Sequence, residues 1–86
     1  MNNFTLVGKC KKITKINSND YIIYIISTSP AHKEITIPIH VTKNNFIKRI
    51  KENDLLGISG NIDEIDSNNI FLATKVVWMP QKKVDV

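Results

Sequence analysis

Three neighbouring lysines, Lys11, Lys12 and Lys15, form the densest basic segment of this 86-residue chain. Lysine acts as a compact point charge that pairs with phosphate, whereas bidentate recognition of guanine in a duplex favours arginine, and the chain holds a single arginine. The formal net charge of +4 also favours an anionic partner. We expect this segment to form a loop that either contacts nucleic-acid phosphates or is merely solvated.

Two tyrosines and a histidine are the next candidates for contacts to a nucleic acid. Tyr21 and Tyr24 are three positions apart, so on a strand they face opposite ways. One is expected to pack in the core and the other, with Tyr24 preferred, to stack on a base. His40 lies on the polar side of its alternating segment and is expected to be either a surface residue or a contact to a base or phosphate. No metal role is expected, because His32 and His40 lack the cysteine or carboxylate neighbours of a metal site.

Enzymatic chemistry is not predicted from the remaining residues. The chain has no Ser/His/Asp or Cys/His arrangement in a credible context and no phosphate-binding glycine loop, so we expect neither a catalytic residue nor a cofactor. Cys10 is the only cysteine and lies in a strand-like alternation, which favours a small buried residue over a nucleophile. The lack of a disulfide pair, of a signal-peptide pattern and of an apolar run of ~20 residues predicts a cytoplasmic protein with no membrane contact.

Hydrophobic periodicity predicts the elements that position these residues. Strands are predicted over residues 4–10, 21–26, 35–41, 55–62 and 70–79, a helix over 44–53 and a short acidic turn over 63–69. The helix is predicted from the spacing of Phe46, Ile47 and Ile50 on one side. Asn44 is its expected N-cap, and Asn53 is expected to end it in a left-handed conformation.

Three strands, a helix and two further strands are the element order of an OB-fold, an all-β, five-stranded Greek-key barrel with one helix between strands 3 and 4. A chain of 86 residues with 42% hydrophobic content has room for one domain and one modest core. We expect a single OB-fold domain over residues 1–80 and a frayed tail over 81–86. Gly8 is expected to allow the coiling by which the first strand joins both halves of the barrel.

Four segments carry a family resemblance that spans the chain from Phe4 to Met79. NFTLVGK resembles the first strand of bacterial single-stranded DNA-binding proteins, IPIHV the third, DLLGISGNI the fourth and ATKVVWM the last. The chain is also similar to primosomal replication protein N, a truncated relative of that family. The resemblance implies single-stranded DNA as the ligand and a homodimer or homotetramer formed through the first strand and the sheet surface. It also implies replication proteins as possible partners.

The third strand departs from the family, which presents aromatic rings to DNA from this strand. Thr42 stands at one of these ring positions, and Thr36 and His40 share its face. Trp78 is expected to be structural, on the inward side of the last strand with Val76, Thr74 and Leu72. The predicted nucleic-acid-binding residues are Lys11, Lys12, Lys15, Tyr24, Thr36, His40, Thr42 and Lys43.

Three functions remain open at this point. The first is sequence-tolerant binding of single-stranded DNA in replication, repair or recombination. The second is an RNA-binding OB module, which the same charge pattern permits. The third is an assembly subunit of a primosome-like complex, in which the apolar second strand meets protein. The resemblance favours the first.

Overall fold

The computed structural model of the chain is a closed barrel of five strands in the order β1-β2-β3-β5-β4. It describes residues 2–28, 31, 33–42 and 47–79. The strands are β1 (Asn3–Lys15), β2 (Asp20–Thr28), β3 (Glu34–Thr42), β4 (Leu55–Ile65) and β5 (Asn68–Trp78). The strand pairs are antiparallel except for β3 and β5, which run parallel. The predicted all-β OB-fold barrel is confirmed, whereas the predicted tail lies outside the described residues.

β1 connects the two halves of the barrel because it pairs with two partners in succession. Its first half, Asn3 to Lys9, pairs with β4, and its second half, from Lys9 onward, pairs with β2. Gly8 lies just before the exchange of partners, where a Cβ would collide with the backbone carbonyl of Ile26 on β2. The missing side chain therefore lets β1 pass close to β2 as it coils, as the sequence predicts.

The core lies inside the barrel and is supplied by alternate residues of each strand. Its fully buried side chains are Cys10, Ile23, Ile25, Ile39, Leu56 and Ile58. The third strand follows the predicted alternation at Ile39 and Val41, which are both buried. Ile35, predicted on the same inward side, is 44% exposed and pairs with Ser27 at the end of the β2–β3 hairpin that lies next to the connection between the two strands.

The predicted helix over 44–53 is wrong, because the described part of this segment contains only a 3-10 turn, Ile47–Arg49. Ile47 and Ile50 are buried, so their spacing does bring both side chains to the core. The chain then turns at Asp54, whose backbone nitrogen donates to the carbonyl of Lys51. Asn53 has φ 75°, the left-handed conformation predicted for it. The predicted N-cap Asn44 and the apolar Phe46 lie outside the described residues.

The acidic turn predicted over 63–69 is also wrong, since this segment is mostly paired strand. β4 continues to Ile65, β5 begins at Asn68, and these two residues face each other across a two-residue connection. Asp66 and Ser67 both have positive φ, 51° and 66°. Two central residues of this kind form the type I′ turn, whose twist matches that of the flanking strands.

The inward side of β5 differs from the prediction because the pairing with β4 is irregular between Ser59 and Gly60. Phe71, Ala73 and Val76 pack against the core, and the ring of Phe71 meets that of Phe4 edge-on at 5.2 Å between centroids. Leu72 and Thr74 were also predicted to face inward, but Leu72 is only half-buried and Thr74 is exposed. A bulge shifts the side-chain period by one residue, so the alternation cannot be extended through it.

Candidate nucleic-acid interface

The outward side of β1, β2 and β3 brings together most of the residues that the sequence selects. Ile13, Ile23 and Ile39 face the barrel interior, so their neighbours along each strand point outward. We call this surface the outer face. It carries Lys12, Thr14, Ile22, Tyr24, Ile26, Thr36, Pro38, His40 and Thr42. Tyr24 therefore lies on the outer face, whereas Tyr21 packs against the core.

A bulge in β1 brings a lysine onto an aromatic ring at the centre of the outer face. The register shifts between Cys10 and Lys12, so that Lys12 stands opposite Tyr24. The Lys12 Nζ lies 4.8 Å from the centroid of the Tyr24 ring, within cation–π distance. Lys11 is the extra residue of the bulge and is exposed. The local irregularity thus sets a cation beside a partly exposed ring, the combination used to bind single-stranded nucleic acid.

The other predicted lysines occupy different positions. Lys11, Lys12 and Lys15 all belong to β1, so the basic loop predicted for them is wrong and β1 extends five residues beyond its predicted end at Cys10. Lys15 pairs with Tyr21 at the end of the strand. By the alternation along β1 it lies on the same side as Ile13, opposite to the side that carries Lys12. Lys43 lies outside the described residues.

A small cavity opens where β3 and β5 separate. The two strands pair only through Ile39 with Phe71 and His40 with Leu72. Beyond this point they leave a space of about 220 Å³ lined by Asp20, His40, Val41, Thr42, Leu72 and Ala73. His40 and Thr42 are predicted site residues. Asp20 was missed, because only the pairing register, which places it opposite Thr42, brings it to the same side.

Trp78 joins β5 to the turn before β4. Its indole Nε1 donates a hydrogen bond to Asp54 Oδ2 at 3.1 Å, and the Arg49 guanidinium carbon lies 5.7 Å from its ring centroid. The same Asp54 oxygen accepts a bond from the backbone nitrogen of Lys51. These contacts are those of a structural residue, although the Trp78 side chain remains 40% exposed.

Cys10 is buried, with 1% of its surface exposed, as the sequence predicts. Burial raises the pKa of its thiol, and the carboxylates of Asp54 and Glu52 raise it further. A raised pKa keeps the thiol protonated, and a protonated thiol is a poor nucleophile. Among the described residues, no group of three or more His, Cys, Asp or Glu side chains converges as metal ligands. No described helix is long and apolar enough to cross a membrane.

Comparisons with known proteins yield similar structures but no similar sequences. No family model matches the chain, and no curated protein matches it. The N-terminal domain of PriB from Thermoanaerobacter tencongensis, described as dimeric, superposes with a TM-score of 0.75 at 15% identity, over 93% of this chain and 98% of that one. PriB from Ralstonia solanacearum superposes with a TM-score of 0.60 at 11% identity, over 92% and 99% of the two chains. The chain shares its OB-fold barrel with both.

Proposed function

We propose that this protein binds single-stranded DNA with little sequence preference, in DNA replication, repair or recombination, through the outer face. The observation that carries the proposal is the Lys12 ammonium held over the ring of Tyr24. A single strand presents bases and phosphates in alternation, so a ring that stacks on a base beside a cation that neutralises a phosphate matches both. Ile22 and Ile26, both half-buried, extend the apolar surface on either side of Tyr24.

Two further observations support the proposal. In sequence, the strand segments resemble those of bacterial single-stranded DNA-binding proteins. In structure, the barrel is similar to two PriB proteins along nearly its whole length. The net charge of +4 adds a long-range attraction for any polyanion.

The salt dependence of binding tests the role of the lysines. If Lys12 on the outer face and the exposed Lys11 and Lys15 beside it on β1 each neutralise one phosphate, the logarithm of affinity for oligo-dT falls with the logarithm of salt at a slope of about −2, from ~0.7 per phosphate. Replacing Lys12 by alanine is expected to weaken binding and to flatten this slope by about 0.7. Fluorescence anisotropy titrations of labelled oligo-dT at several salt concentrations measure both quantities.

Lys75→Ala is the matched control for Lys12→Ala. Lys75 is exposed on β5 opposite Ser59 of β4, on a different side of the barrel, so its removal changes the net charge equally without touching the outer face. An equal loss of slope in both variants would show that the outer face is not the contact surface. Undetectable binding of oligo-dT at low salt would contradict the proposal. The affinity for a matched RNA, measured in the same titration, tests the RNA-binding alternative.

A second candidate function, protein assembly, is favoured by an apolar patch on the outward side of β1, β4 and β5. Val7 is 48% exposed, Val77 41% and Met79 37%. Leu55 and Gly57 lie between them, and Val7 and Val77 both pair with Gly57. We propose that a second copy of the chain covers this patch, which gives a homodimer or a homotetramer, because contiguous exposed apolar surface marks interaction sites.

Light scattering at high micromolar concentration tests this association. The molar mass measured for the wild-type protein is expected to be at least twice that of one chain. Val77→Lys is expected to lower this mass toward that of the monomer, because the new charge would be buried in the interface. Ile65→Lys is the control, since Ile65 is 52% exposed near the β4–β5 turn and away from the patch. A monomeric wild type, or equal dissociation by both variants, would contradict the interface.

A further inference from the structure

The cavity between β3 and β5 is large enough for one ring-sized group but not for a larger ligand. Its volume of about 220 Å³ lies below the ~300–1,000 Å³ of sites for drug-sized ligands. Val41, Leu72 and Ala73 supply apolar walls, while Asp20, His40 and Thr42 add polar side chains. It adjoins the outer face, because His40 and Thr42 belong to both. A strand lying on the outer face can therefore place one base in this cavity.

The carboxylate of Asp20 is held in place by the turn before β2. Asn17 Nδ2 donates a hydrogen bond to Asp20 Oδ2 at 2.9 Å. Asn17 Oδ1 accepts hydrogen bonds from the backbone nitrogens of Asn19, at 2.8 Å, and of Asp20, at 2.9 Å. The backbone nitrogen of Ile16 also donates to the carbonyl of Asp20. The Asn17 amide thus orients the carboxylate, while the backbone bonds hold Asp20 in a turn that borders the cavity. A fixed group loses little conformational freedom when a ligand binds.

The chemistry of a carboxylate decides which group it accepts. An ionised carboxylate offers acceptors only, so it repels phosphate and binds hydrogen-bond donors. Guanine is the only one of the four DNA bases whose Watson–Crick edge carries two adjacent donors, N1–H and N2–H. Thymine has one donor between two carbonyl oxygens, while adenine and cytosine each place a single amino group beside an acceptor nitrogen. Unstacked bases of single strands are read on this edge.

We propose that the cavity is a guanine-selective subsite within the single-stranded DNA path, and that Asp20 determines its selectivity. This inference rests on the proposed function, since the rest of the strand is held by the outer face. Base recognition here uses a carboxylate and the Watson–Crick edge, so it does not need the arginine that the basic segment lacks. The protein then tolerates most sequences and favours those that place a guanine at one position.

Three oligonucleotides test the subsite on the wild-type protein. One is oligo-dT, the second carries a single internal dG, and the third carries deoxyinosine at the same position, which retains the purine ring but lacks the N2 amino group. We expect the dG oligomer to bind about 5- to 150-fold more tightly than oligo-dT, the range of a bidentate side chain–base pair. The inosine oligomer is expected to lose most of this gain. Anisotropy titrations at one fixed salt concentration give the three affinities.

Asp20→Asn tests the residue. It preserves the size of the side chain but replaces one acceptor by a donor, so we expect the ratio of the dG to the oligo-dT affinity to fall to about one. Asp63→Asn is the matched control, because Asp63 is exposed on β4 and changes the charge equally away from the cavity. Thermal unfolding of each variant confirms that it is folded. The inosine comparison needs no variant and holds even if Asp20→Asn does not fold.

The outcomes separate this inference from the proposed function. Equal affinity for the three oligomers in the wild type overturns the guanine subsite and leaves single-stranded DNA binding standing. Inosine binding as tightly as guanine shows stacking by any purine and overturns the role of the carboxylate. A dG preference that survives in Asp20→Asn overturns Asp20 as its cause. Failure of the wild type to bind any of the three overturns the proposed function itself.

Discussion

Replacing Gly60 by alanine is expected to lower the free energy of unfolding by about 3 kcal/mol, at the upper end of the usual effect of overpacking. A Cβ on Gly60 would overlap the carbonyl oxygen of Leu72 and lie 3.0 Å from the Cα of Ala73. Both obstacles are backbone atoms of β5, at the place where the β4–β5 pairing is irregular. They can move only if the two strands separate, which would open the barrel.

Gly57→Ala provides the comparison within the same strand. A Cβ on Gly57 would lie 3.2 Å from the Met79 sulfur and 3.3 Å from a methyl group of Val77, both of them side-chain atoms. The Met79 side chain has three rotatable bonds and can adjust, so we expect a change of less than ~1 kcal/mol. Neither glycine has a positive φ, so backbone strain does not distinguish them. Urea unfolding measures both variants, and equal losses would contradict the close strand approach at Gly60.

Tyr24→Ala is expected to weaken binding of oligo-dT by ~1–3 kcal/mol, the contribution of one stacked base, which corresponds to roughly 5- to 150-fold. The ring stands at the centre of the outer face with the Lys12 ammonium over it. Removing it takes away the stacking surface, while the exposed Lys12 remains on β1 to neutralise a phosphate. Tyr24→Phe keeps the ring and is expected to bind almost as the wild type does.

The salt slope distinguishes stacking from charge in the Tyr24 variants. Stacking releases no counterions, so Tyr24→Ala is expected to lower the affinity without changing the slope, in contrast to Lys12→Ala. Thermal unfolding controls for damage to the barrel, since the Tyr24 side chain is half-buried. An unchanged affinity in Tyr24→Ala, together with a loss in Lys12→Ala, would show that phosphates alone are bound and that no base stacks on this ring.

The strands were predictable because burial on one side imposes a period of two. That signal is strong in β3, where Ile39 and Val41 alternate with His40 and Thr42. The helix prediction failed because the spacing of Ile47 and Ile50 is three residues, which brings both to one side of a 3-10 turn as well as of an α-helix. Hydrophobic spacing over a single turn cannot separate the two.

The ends of the strands were not predictable where both of their sides meet solvent. From Asp63 to Ile65, every residue of β4 is exposed, and so is β1 from Thr14 to Lys15. Without a buried side there is no alternation to detect, so the polar composition of these segments resembled loops. Their strand structure comes from the ladder with the neighbouring strand, which is a property of the whole fold.

The arrangement of the candidate surface was partly predictable, since Thr36, His40 and Thr42 share one side of β3 as expected, whereas Lys12 was expected in a loop. The positions of these side chains relative to one another were not predictable. The bulge after Cys10 decides which lysine stands opposite Tyr24, and the hairpin register decides that Asp20 stands opposite Thr42. A one-residue slip would exchange the inward and outward side chains, and a single sequence does not fix the register at a bulge.

The exchange of partners along β1 has a consequence for the order in which the chain can fold as it is made. The second half of β1 pairs with β2, the next strand to leave the ribosome, and β2 then pairs with β3. The first half must wait for β4, because Phe4 pairs with Gly60. Distant pairings of this kind form slowly. The nascent chain can therefore assemble the three strands of the outer face early, while the first half of β1 stays without its partner until β4 has also been synthesised.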